Sequence, residues 1–161
     1  MGGEESRSQT KRSYYMDVIR RKNVPFKKKF PQVLREDMMV MICGKIPASA
    51  KFFVVNLQDG LESQIIPFHF AGRFDEGTDK VVFSSQKEGN WAPMLDTCCN
   101  FGNRQNGFKI NMFIWENCYQ VCVNGNHVLT YDHTPDCKID TVNIYGEMQI
   151  DSIKLYDLRC A

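Results

Sequence analysis

His69, Arg73 and Trp91 are the side chains whose types and spacing suit one piece of chemistry: holding a polyhydroxylated ring. An imidazole and a guanidinium can donate to hydroxyl oxygens. An indole face stacks on the apolar C–H face of such a ring. His69 and Arg73 flank Ala71 at alternate positions, so on an extended strand all three share one face. Ile66, Phe68 and Phe70 then fall on the opposite face, which is apolar enough for a core. After the polar turn Asp75–Asp79, a second strand is expected over Val81–Gln86, and Gly89-Asn90 then delivers Trp91. Taken singly, Trp91 reads as a partly buried aromatic. Arg73 taken singly reads as a surface arginine paired with Asp75, Glu76 or Asp96. Together, and in this order, they make a binding platform.

The stretch resembles the galectins, the β-galactoside-binding lectins, whose pattern is H-x-N-x-R, then V-x-N, then W-x-x-E-x-R. His69 and Arg73 match the first element, Val82 the second and Trp91 the third. The resemblance continues in Asn100-Phe101, in Tyr119–His133 (YQVCVNGNHVLTYDH) and in Ile139–Ile153 (IDTVNIYGEMQIDSI), and so covers Phe30 to the C-terminus. It implies a galectin-type jelly roll of two antiparallel sheets, with the carbohydrate site on the concave one. It also implies glycans or glycoproteins as partners, no cofactor, and a cytoplasmic protein that can be secreted without a signal peptide.

The departures fall on the hydrogen-bonding shell. Ala71 and Ser84 stand where the pattern has Asn, Met94 where it has Glu, and Asp96 where it has Arg. The site set is therefore His69, Arg73, Val82, Ser84, Trp91 and Asp96. In the pattern a carboxylate two strands away holds the arginine. Met94 cannot do that, and Asp96, on the same strand face as Met94, is the candidate replacement. Each lost hydrogen bond removes about 0.5–1.5 kcal/mol, or about 1.5–3 where a charge is involved. A millimolar binder has only about 4 kcal/mol in total. The expectation is weak or absent lactose binding, with room for a shifted glycan preference. The alternative is a fold of this type used for protein contacts.

The elements that must position these residues are short strands. Alternation and turn signals place strands at Met38–Cys43, Phe52–Leu57, Phe108–Trp115, Tyr119–Val123, His127–Tyr131, Val142–Tyr145 and Met148–Leu155, with Trp91–Thr97 beside the two site strands. Asn124-Gly125 between alternating runs is a strong hairpin signal. About ten strands and no helical periodicity make the chain all-β, a sandwich. At 161 residues it is one domain with a sizeable core.

Residues 1–29 read as a basic N-terminal extension, and 30–161 as the binding domain. The first thirty residues carry nine Lys/Arg against three Asp/Glu, and the remainder eleven against sixteen. A net charge of +1 gives no reason to expect nucleic acid. The extension is expected to be a solvated leader, with Tyr14–Lys22 either a short helix or an added strand. Met1–Ser6 also fits the N-myristoylation pattern, which with Lys27–Lys29 would give a weak membrane-surface contact.

Seven cysteines with no secretory signal read as reduced thiols. Cys118 and Cys122 lie about 13 Å apart on a strand, too far to share a zinc ion. Asp132 and His133 face apart, and no phosphate loop or nucleophile elbow occurs, so neither a metal nor catalysis is expected. Sheet edges and thiols leave a homodimer open.

Overall fold

The computed structural model describes residues 14–62, 64–74, 77–133 and 137–159. Alternating residues build thirteen strands: β1 (Tyr14–Asn23), β2 (Phe26–Leu34), β3 (Met38–Lys45), β4 (Phe52–Gln58), β5 (Ile66–Arg73), β6 (Lys80–Lys87), β7 (Asn90–Trp91), β8 (Leu95–Cys98), β9 (Phe108–Ile114), β10 (Cys118–Val123), β11 (Asn126–Asp132), β12 (Ile139–Gly146) and β13 (Gln149–Asp157). No helix occurs among the described residues.

The strands form two antiparallel sheets. One runs β1-β13-β3-β9-β10-β11. The other runs β2-β12-β4-β5-β6, with β7 and β8 both on the far edge of β6. Alternate residues of both sheets meet in the middle. On β9, Phe108, Ile110, Met112 and Ile114 are buried while Lys109 is exposed. Phe53 is the hub, with ring centroids 6.1 Å from Phe70, 5.9 Å from Phe101 and 6.1 Å from Phe108. Phe68 stacks on Tyr119 at 5.0 Å. Gly72 permits this: a Cβ there would lie 2.3 Å from the Phe53 ring.

The Asn124-Gly125 turn forms as expected, with φ of 52° and 86°, and Asn124 Oδ1 accepts the Lys109 amide at 2.9 Å. Of the two forms open for Tyr14–Lys22, the added strand is the one that forms, and it pairs with β13; residue 30 lies inside β2, which pairs with β12. The edges of β13 and β12 supply the backbone partners for these segments. The Met1–Ser6 pattern lies outside the described residues.

Candidate functional site

The outer face of the seven-stranded sheet is set by β5. Its register places His69 between Asn56 on β4 and Ser84 on β6, and Ala71 between Val54 and Val82. Arg73 lies between Phe52 and Lys80. Val82 in turn faces Asp96 on β8. The face read from spacing is thus the face that forms.

His69 is buried, and its Nδ1 lies 2.7 Å from Asn56 Oδ1. Burial first, and the Arg73 guanidinium second, lower its pKa to about 4. The ring is therefore neutral at pH 7. An amide oxygen only accepts, so the single ring proton sits on Nδ1 and donates to Asn56. Nε2 keeps its lone pair. His69 thus presents an acceptor to a hydroxyl proton, where sequence alone suggested a donor.

Trp91 meets His69 edge to face at 5.0 Å between centroids and stays 46% exposed. Its Nε1 donates to the side-chain oxygen of Gln86 at 2.9 Å, in the amide orientation that also lets Gln86 donate to the Gln64 carbonyl at 3.3 Å. The indole is thus tethered at its polar tip, leaving its carbon face open. Arg73 is exposed at the end of β5.

Ser84 and Asp96 do different work from that expected of them. Ser84 is wholly buried, and its hydroxyl donates to the Ala92 carbonyl at 2.9 Å. The hydroxyl holds the 92–94 segment onto β6 and offers a ligand no surface. The serine is short enough to stay beneath that segment. Asp96 does lie two strands from β5, but its ion pair is with Lys80, at 3.8 Å, and its side chain is 62% exposed. Lys80 stands on the strand between Asp96 and Arg73 and reaches the carboxylate by the shorter path. Asp75 and Glu76 lie outside the described residues.

Asn56 and Gln86 were missed in the sequence. Asn56 interrupts the apolar run Phe52–Leu57 and signals a polar duty, but naming its partner needs the β4–β5 register. Among the described residues no three His, Cys, Asp or Glu side chains converge as metal ligands.

The galactoside-binding lectin family profile matches residues 25–155. The chain belongs to this family. Galectin-8 of Rattus norvegicus is 28% identical over 146 residues, covering 88% of this chain and 46% of galectin-8. Galectin-4 of Sus scrofa is 31% identical over 132 residues, covering 81% and 41%. Galectin-7 of Homo sapiens is 27% identical over 136 residues, covering 83% and 98%. The chain therefore spans under half of the first two relatives and nearly all of the third. The structure of sheep galectin-11 in complex with glycerol superposes with a TM-score of 0.72 at 20% identity, over 83% of this chain and 98% of that one. The sandwich is thus the galectin fold. Galectins are non-catalytic lectins, and their fold carries the His69 and Trp91 pair on its seven-stranded sheet.

Proposed function

We propose that this galectin binds galactoside-type or altered glycans through a remodelled site, with lactose bound weakly or not at all. The supporting observation is the His69–Trp91 pair: a neutral imidazole with an outward acceptor, in edge contact with a tethered, half-exposed indole. A sugar ring stacks on Trp91, gives a hydroxyl proton to His69 Nε2 and takes a charged hydrogen bond from Arg73. Val82 supplies apolar floor. Ser84 acts indirectly, by fixing the segment that follows Trp91, and Asp96 tunes the charge around Arg73 through Lys80. The missing amides and carboxylate weaken lactose, whose hydroxyls lose partners worth about 1 kcal/mol each. The protein acts on glycoproteins, in the cytoplasm and outside the cell.

A glycan array with lactose competition, comparing the chain with Trp91→Ala, tests this. Trp91-dependent binding is expected, with little inhibition by lactose. A second reading, a protein-contact module, is favoured by the inward Ser84 hydroxyl, which removes a ligand donor. Absence of all glycan binding would establish that reading in place of the first.

A further inference from the structure

Two parallel lanes cross the outer face of the seven-stranded sheet, and they differ in chemistry. The first is polar: Asn143, Asn56, His69 and Ser84 stand side by side on β12, β4, β5 and β6. The next lane along the same four strands is Tyr145, Val54, Ala71 and Val82. It carries one phenol hydroxyl and is otherwise hydrocarbon. Three strand spacings make it about 14 Å long.

The lane is a trough rather than a flat strip. Ala71 and Val54 are recessed, at 3% and 6% exposure, while Tyr145 stands up at one end, at 37%, and the Asp96 side chain, in register with Val82, at the other, at 62%. Met94 ends the 92–94 segment that Ser84 binds to β6, and the β6–β8 register carries it beside Ser84, one lane over from Asp96, at 53% exposure. Phe52, in register with Arg73, adds a second exposed aromatic beside Tyr145, at 37% exposure. Its ring lies over the bare Cα of Gly146, where a Cβ would stand 3.2 Å from Phe52 Cε2. Four of the large apolar side chains left exposed on this molecule (Phe52, Trp91, Met94 and Tyr145) thus ring one face.

We propose that this face selects glycosides with an apolar aglycone, the sugar on Trp91 and His69 and the aglycone along the trough from Val82 toward Tyr145. The inference rests on the glycan-binding reading above. It names the occupant from the pairing of lanes: hydroxyls match the polar lane, whose imidazole is neutral, and hydrocarbon matches the lane beside it. A purely hydroxylated disaccharide leaves part of its polar edge over Ala71, Val54 and Val82, where nothing replaces its water. An alkyl or aryl group there releases water from both surfaces.

Calorimetric titration with methyl, phenyl and octyl β-D-galactoside, below the micellar range, tests it. The expected result is octyl binding at least about tenfold tighter than methyl, since burying two methylenes suffices for that ratio. A gain shared by phenyl points to the Tyr145 and Phe52 rings. A gain confined to octyl points to the lipid-linked class of glycoside. Phe52→Ser and Tyr145→Ser, both exposed changes that leave the fold intact by circular dichroism, are each expected to remove most of the preference. Equal affinity for methyl and octyl, abolished by Trp91→Ala, would overturn the inference and leave the lectin reading standing. Octyl preference unchanged in both variants would overturn it too, by placing the chain elsewhere. If octyl galactoside does not bind, the inference fails, and the array decides the lectin reading by itself.

Discussion

Phe68 and Phe70 are sealed on one face of β5 by rings from both sheets, whereas on its other face Arg73 is exposed and His69 is held by Asn56 and the edge contact with Trp91. The inner face carries the hydrophobic stabilisation, and a change there is felt by every strand. The outer face is the proposed recognition face, and there Ala71, Ser84 and Met94 stand where the galectin pattern has Asn, Asn and Glu, with the sandwich intact. One strand therefore serves two functions whose sequence requirements are nearly independent.

The strongest test of that independence is Phe53→Ala. Removing the hub of the aromatic cluster is expected to cost about 3–5 kcal/mol in urea unfolding, with the ligand preference of the surviving folded fraction unchanged. A shift in preference would show that the two faces are coupled. His69 is where coupling is expected, because it is buried on the recognition face. Its folded pKa lies near 4, below the 6.5 of the unfolded chain. Between those values the unfolded chain binds more protons, so stability falls as pH drops from about 6.5 to 4, by on the order of 3 kcal/mol. Below that window this contribution is constant. Burial raises the carboxyls of Asp140 and Asp157, but hydrogen bonds from Gly60 and Thr141 to the first, and from Arg159 and Arg35 to the second, outweigh it and lower both. The stability they contribute is lost only as pH falls below about 3.8. Urea midpoints across this range should show His69→Gln flattening the upper window alone.

Trp91→Ala sharpens the comparison from the other side. Glycan affinity should drop about tenfold, in line with a lost stacking partner, while the unfolding midpoint moves little because the indole is half exposed. The smallest effect is expected for Asp96→Ala. Its pair with Lys80 is long and solvated, so stability should change by less than about 0.5 kcal/mol. A larger loss in thermal melts would mean that Asp96 braces more of the site than this ion pair.

Much of this was legible in the chain. Alternation identified β5, β9 and β10, where period-two patterns encode burial directly, runs bounded by turn signals marked β3, β4 and β6, and Asn124-Gly125 fixed the β10–β11 hairpin. β2 was not legible, and for β1 a short helix and an added strand read equally well. Their residues are basic and weakly patterned, and they are strands because β13 and β12 supply partners for their edges. At the site, His69, Arg73 and Trp91 were recognisable from order and spacing. The inward turn of Ser84, the proton on His69 Nδ1 and the Lys80–Asp96 pair depend on cross-strand register, which no local signal carries.

Ser84 also governs how reversible this divergence is. An asparagine at position 84 would place its amide where the serine hydroxyl now meets the Ala92 carbonyl, or turn outward and leave that carbonyl without its partner. In either case the 92–94 segment must resettle, carrying Met94 with it. The route back to the family pattern is therefore not a series of independent steps. Restoring Asn at 84 should harm the fold unless the following segment changes as well, so these positions are expected to evolve, or to be engineered, as one block.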